Sequence, residues 1–408
     1  MRQSLGKLGR AALFAVTAMG VFAASAARAD IVSDQSAAIL IYPKIVVDTN
    51  GVFTDGRPTN TVLQLTNTSN SVVAARCVFV DTTSRCDGDG IACTAETAAA
   101  RCGSTDRCIQ RWVPRDFRMT LTKRQPIAWD VSAGMLQFPC ESGGCPFGQS
   151  NTSADGFPSA IPPVADDPFF GELKCVQVDP ETFEPAGGLN PANGGRGDLA
   201  GLATIVEISD GAPDARKYNA IGIQATGTND NNDTLQIGGD NAEYNACPAS
   251  LILNHVFDDA QVTSNGTTST VTTDLTVIPC SEDLGSEGGG NSAVLQFLIF
   301  NEFEQRFSAS ERVDCWAEIQ LSDIDSRPGP FGDAQSVFNV GVQGTITGQT
   351  RIRPVAGPNS ANAVLAVAEE FWSGPGGRQR TDAANVHFIG AATGGDQIIL
   401  HADGIVTP

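Results

Sequence analysis

Histidine is scarce in this chain: 3 in 408 residues, beside 3 Tyr, 4 Met and 4 Trp. His255, His387 and His401 each stand alone, and no HExxH occurs, which excludes a zincin-type site read from local sequence. No GxSxG elbow occurs either; Gly285-Ser286-Glu287-Gly288 has the wrong spacing. There is no Walker loop, and the run Gly288-Gly289-Gly290 precedes no helix that would receive a phosphate. Positive charge is short as well, with 26 Lys+Arg against 46 Asp+Glu and a net charge of −20. That field repels phosphate backbones and anionic lipid, so nucleic-acid binding and membrane insertion are not expected. Beyond residue 29 no apolar run approaches the ~20 residues that span a bilayer.

Residues 1–29 read as an export signal. Arg2, Lys7 and Arg10 form a positive start, Ala11 to Ala24 an apolar middle, and Ala27-Arg28-Ala29 places small residues for cleavage before Asp30. Removing this segment takes four basic residues and no acid, moving the charge from −20 to −24. The mature protein is expected in the periplasm or outside the cell.

All 11 cysteines follow residue 29, and in an oxidising compartment disulfides are the default expectation. Cys86, Cys93, Cys102 and Cys108 crowd a Gly/Asp/Ala-rich stretch too poor in large apolar residues to build its own core, so cross-links should hold it. Cys140 and Cys145 flank Glu-Ser-Gly-Gly and could close a small loop, while Cys280 and Cys315 could pair with each other. Zinc at the four-cysteine stretch is the rival reading, but no histidine and no CxxC knuckle accompany it. With an odd cysteine count, at least one is left unpaired or pairs with another chain.

Short runs of Val, Ile, Leu, Phe and Thr recur between Gly, Asn, Asp and Pro clusters, and helical periodicity is rare. Val73, Ala75, Cys77 and Phe79 alternate as one buried face of a strand. Thr66-Asn67-Thr68-Ser69-Asn70-Ser71 between two such runs is a hairpin signal. The pattern also repeats. Lys44–Asp48, then Val62-Leu63-Gln64 and Asn67, then Cys77, runs parallel to Leu275–Pro279, Val294-Leu295-Gln296 and Asn301, then Cys315. Thr120–Gln125 ending in Val131 likewise resembles Thr345–Gln349 ending in Val355. The expectation is an all-β protein of two tandem, internally duplicated Ig-like β-sandwich units. Unit one covers 30–256, with a disulfide-bearing insert and Gly/Pro-rich insertions, and unit two covers 257–408.

The stretches 37–45, 62–70, 217–220 and 301–305 resemble exported bacterial proteins of unknown function, a likeness that runs along most of the mature chain. It implies secretion and β structure and brings no activity and no site residue. The strand–Asn/Thr/Ser turn–strand start also resembles Ig-like modules of bacterial surface proteins.

No cofactor is required by any motif; calcium is the one ligand with local chemistry behind it. Asp230, Asp233 and Asp240 lie in a stretch resembling a single unit of the Gly/Asp calcium-binding nonapeptide repeat, a family that needs stacked copies. Asp87 and Asp89 resemble the start of a calcium loop, but no downstream acidic ligand follows at the required spacing. The alternative for both is an Asx-rich turn. The adjacent pairs Asp166-Asp167, Asp258-Asp259 and Glu369-Glu370 read as solvated turn or edge charges. Arg196-Gly197-Asp198 reads as an accident of composition. The leading functional expectation is a non-enzymatic structural, adhesive or binding role with an unknown protein or glycan partner. A calcium- or carbohydrate-binding module, with Trp112, Trp129, Trp372, Tyr218 and Tyr244 as stacking candidates, is the first alternative. A hydrolase with a scattered active site is the second.

Overall fold

The computed structural model describes residues 31–94, 97–103, 106–135, 161–181, 185, 196–209, 211–227, 232–240, 242–285, 291–326, 335–355, 360–375 and 379–400. The stretch 1–29, read above as an export signal, lies outside them, as do Cys140, Cys145, Asp230 and His401. Of the described residues 61% are strand and 4% helix, so the all-β expectation holds. The two tandem Ig-like sandwiches do not: small antiparallel sheets are assembled as a five-bladed β-propeller.

The pairing explains the difference. A six-stranded sheet runs in the order Ile31–Val32, Ile221–Ile223, Ile39–Val47, Phe169–Val178, Val73–Asp81, Val113–Leu121. A four-stranded sheet orders Ala212–Asn219, Leu199–Ser209, Thr59–Asn67, Pro126–Asp130. A five-stranded sheet contains Arg306–Asp314, Ser292–Asn301, Thr347–Val355, Pro248–Val256 and His387–Ala391. Another five-stranded sheet is built from Ala260–Ser264, Thr267–Pro279, Val364–Ser373 and Gln379–Asn385, with Ala317–Gln320 beside Thr267–Pro279. The smallest blade takes Thr234–Ile237, Asp396–Ile399 and Glu282–Asp283, and so joins segments far apart in sequence. Pro248–Val256 pairs with Thr347–Val355, and Cys247 is disulfide-bonded to Cys280, so residues on both sides of 256 share one sheet and one cross-link.

Burial tells the same story. An outer sheet of a free-standing sandwich would alternate buried and exposed positions. Ile39–Val47 and Val73–Asp81 are instead buried at every position. One face packs Tyr42, Leu63, Cys77, Phe79, Phe117, Trp129 and Ile205 into a shared core. The other packs Ile39, Ile41, Val78 and Val176 against Ile237, Tyr244, Ile278, Leu365 and Ile398 from distant parts of the chain. A third core gathers Leu253, Leu275, Phe297, Phe338 and Ile352.

Val73, Ala75, Cys77 and Phe79 do form one core-facing row. The turn at 67–71 is present, yet its strands do not pair with each other. Thr59–Asn67 joins Leu199–Ser209, whereas Val73–Asp81 joins Phe169–Val178. The turn is therefore a corner between sheets. Asn67 holds it, donating from Nδ2 to the Ser71 and Thr122 carbonyls and accepting from the Ser69 amide. Asn301 works the same way, accepting from the amides of Phe303 and Gln305 while its Nδ2 reaches the Gln343 carbonyl.

The cysteine-rich insert is cross-linked by Cys86–Cys102 and Cys93–Cys108. Cys77 and Cys175, directly opposite on neighbouring strands, form another disulfide. Cys280 pairs with Cys247 and not with Cys315, which is a free, partly buried thiol. No helix among the described residues is long and apolar enough to cross a membrane.

Candidate functional site

The cleft with the richest chemistry begins at an interruption in a buried strand. Proline cannot donate to a ladder, and at Pro43 the register of Ile39–Val47 against Phe169–Val178 slips between Tyr42 and Ile45. The loosened backbone is satisfied by side chains. Trp316 Nε1 donates to the Pro43 carbonyl at 2.8 Å, the Lys44 amide donates to Tyr218 Oη at 3.1 Å, and that hydroxyl donates back to the Lys44 carbonyl. The bulge turns Lys44 out of the core face occupied by Tyr42 and Ile45 and toward the strands Thr267–Pro279, Ala317–Gln320 and Val364–Ser373.

Those strands supply the acids by simple alternation. Leu275, Val277, Ala366 and Ala368 point into the third core. Their neighbours Thr272, Asp274, Glu318, Gln320, Phe371 and Ser373 line the opposite face, a cleft of about 480 Å³. Asp274 lies across from Gln320 on one side and Glu369 on the other.

A chain of alternating charges runs along the cleft. Lys44 Nζ contacts the carboxylates of Glu318 and Glu369. Arg216 Nε contacts the other oxygen of Glu369, and its Nη1 lies 3.2 Å from Glu207. Arg57 Nε then sits 3.0 Å from Glu207 Oε1. Three cations thus alternate with three carboxylates, and a fourth, the exposed Asp55, lies 3.3 Å from Arg57 Nη2 at the open end. Lys44 and Glu369 are sealed at 1% exposure, while Glu318 and Arg57 reach the cleft at 26% and 24%. Lys44 and Arg216 together hold the buried Glu369 below the usual carboxylate range, against the opposing effect of burial. Asp274 has no such pair. Burial first, then the charge of Glu318, pushes its carboxyl up to about 7. Phe53, Phe170 and Phe371 give the cleft apolar faces, with Arg216 stacked 5.5 Å above Phe371.

Apart from Tyr218 and Glu369, the residues singled out from sequence fall elsewhere. Asp233 lies 3.8 Å from Arg76, and Asp240 is exposed. Asp89 accepts the amide of Ile91 at 3.0 Å within its own turn, whereas Asp87 accepts the Arg107 amide at 2.9 Å and so ties two separate segments of the insert. Among the described residues no three carboxylates converge. The one group of three potential ligands is Cys86, Cys93 and Cys102, whose sulfurs sit within 4.8 Å and are consumed by the stacked disulfides. Trp112, Trp129, Tyr218 and Tyr244 are buried and cannot stack on a ligand. Asp198 of the Arg-Gly-Asp tripeptide is 1% exposed and bonded to Gln177.

The expectation of solvated acid pairs fails for Glu369, described above, and for Asp258. Asp258 is fully buried and accepts the amides of Thr273 and Ser322. His255 is also buried, with Nε2 2.9 Å from Thr350 Oγ1 and its ring between Phe257 and Phe338. Burial lowers its pKa to about 4, so it stays neutral. The cleft residues went unnoticed in sequence because they come from seven strands and the loop at 53–57. The one local signal was Thr272, Asp274 and Thr276 alternating with Val271, Leu275 and Val277.

No protein-family profile and no curated protein matches the chain.

Proposed function

We propose that this is an exported, disulfide-braced binding protein that takes a neutral, polyhydroxylated ligand of the saccharide type in the cleft beside Lys44. The observation that carries the reading is the alternation of donors and acceptors along Lys44, Glu318, Glu369, Arg216, Glu207 and Arg57. A network whose ions are already paired with one another offers little to a free ion, whereas adjacent hydroxyls, each both donor and acceptor, can match it group by group. The rings of Phe53, Phe170 and Phe371 provide surface for the apolar faces of a sugar. The tripartite segment 1–29 and the four disulfides among the described residues support export.

The test is a thermal-shift and titration panel of glucose, galactose, maltose, cellobiose and chitobiose, run on the oxidised protein and on Glu318→Gln. Saturation by one sugar raises the melting midpoint of the wild type, and Glu318→Gln weakens that response. A midpoint unmoved by every sugar overturns the reading. Assaying the same mixtures for released reducing ends addresses a second reading, which the raised carboxyl of Asp274 favours: an acid protonated near neutrality beside an ionised carboxylate suits glycoside hydrolysis. Against it, both oxygens of Glu369 are already taken, by Lys44 and Arg216.

A further inference from the structure

A second buried lysine sits in quite different company. Lys174, in the strand Phe169–Val178, is 0% exposed, as are the two carboxylic residues it touches, Glu172 and Glu282. Its Nζ lies 2.6 Å from Glu172 Oε2 and in direct contact with Glu282 Oε2. Register neighbours on the same face are apolar: Ile41 and Val78 flank Lys174, and Val80 lies beside Glu172. Glu282 comes from the smallest blade, 108 residues further along the chain. Among the described residues both oxygens of Glu172 and Oε1 of Glu282 find no hydrogen-bond donor, so Lys174 meets Glu172 as an ion pair. No arginine completes this cluster as Arg216 completes the other, so one ammonium faces two carboxyl groups in a dry core.

We propose that Lys174 and Glu282 are joined by an intramolecular amide bond, with Glu172 as the group that moves the proton. The charge count favours it. With one cation for two acids, one carboxyl keeps its proton. Burial, and then the neighbouring Glu172 charge, push Glu282 well above the usual carboxylate range. Burial opposes the ammonium of Lys174, while Glu172 and Glu282 together hold it above its usual range; passing its proton to Glu172 removes the remaining two charges from the apolar site. The resulting free amine attacks the Glu282 Cδ. The N–C bond forms, the C–OH bond breaks, and the proton released by Nζ passes through the Glu172 carboxyl to the departing hydroxyl, which leaves as water. No oxidant or co-reactant enters. Fixed contact between the groups supplies the effective concentration that such a condensation lacks in solution. Glu369 beside Lys44 is a different case: held ionised by two cations, it is a poor electrophile.

Intact-mass spectrometry of the exported, disulfide-reduced and denatured chain tests this, with the N-terminus fixed by fragment ions. The expected result is one water, about 18 Da, below the mass of the reduced sequence, with a branched peptide containing residues 174 and 282. Glu172→Ala restores the full mass while keeping both reacting residues. Glu282→Gln loses ammonia instead of water and ends at the same mass as the wild type. A wild-type chain at its full reduced mass overturns the proposal, as does a water loss mapped to any other pair. The wild-type measurement stands whether or not a variant folds.

Discussion

Two lysines on neighbouring strands of one sheet, Lys44 and Lys174, are both sealed from water, yet their surroundings solve the problem of a buried charge in opposite ways. Around Lys44 three cations meet three carboxylates, and the network opens to water through Glu318 and Arg57. Around Lys174 one cation meets two carboxyls at 0% exposure. Burial is common to both; the count of partners differs. In a balanced network each ion finds an opposite partner, whereas an unbalanced one must retain a proton, the condition from which the amide proposed above starts. The outlet matters as well, since ions that reach a cleft keep part of their hydration.

The sharpest break of this comparison is Glu369→Gln. Removing the carboxylate shared by Lys44 and Arg216 leaves two buried cations short of a partner and should cost about 3–5 kcal/mol, read by urea denaturation near neutral pH. A loss under about 1 kcal/mol would mean that the network is not held as a unit.

Acid titration gives the next largest effect. His255 is neutral when folded, with a pKa of about 4, and must charge on unfolding below its ordinary value near 6.5. The stability that its neutrality confers is therefore complete above about 6.5. It should fall by up to about 3 kcal/mol as the pH drops to about 4. His255→Leu should flatten that limb.

Asp274 runs the other way. Its folded carboxyl, raised to about 7, binds a proton more tightly than the unfolded chain does, so its contribution is fully present below about 4 and is lost as the pH climbs to about 7. Asp274→Asn should be more stable than wild type at pH 8, on the order of 2 kcal/mol, and should lack that slope. An unchanged slope would place the neutral-pH titration elsewhere.

The smallest effect belongs to Glu282→Gln. It closes the same Lys174 amide as the wild type, losing ammonia in place of water, and should change stability by less than about 1 kcal/mol at neutral pH. Equal losses for Glu369→Gln and Glu282→Gln would erase the distinction between the two clusters.

Several local features were legible in the sequence for physical reasons. Val73, Ala75, Cys77 and Phe79 show their buried row because side chains alternate across a strand. Asn67 and Asn301 mark turns because an amide side chain can cap its own backbone. Crowding of Cys86, Cys93, Cys102 and Cys108 announced cross-linking, since that stretch has little else to pack. Other features were not legible. Cys77–Cys175 spans 98 residues, and nothing local distinguishes either partner from an ordinary core cysteine. Glu369 read as a surface charge because the rule for adjacent acids assumes one solvated face, and here both faces of the strand are covered.

The sequence by itself determined that this protein is β-rich, acidic, cysteine-bearing and poor in the local motifs of catalysis, because strand alternation, turn chemistry and composition are properties of neighbours along the chain. Tertiary structure alone decided that the strands form propeller blades and not tandem sandwiches. It alone gave Lys44 a balanced circle of ions, left Lys174 an extra acid, and paired Cys280 with Cys247. Strand pairing and charge neutralisation depend on which distant segments meet, and generic β strands of similar pattern do not encode their partners locally.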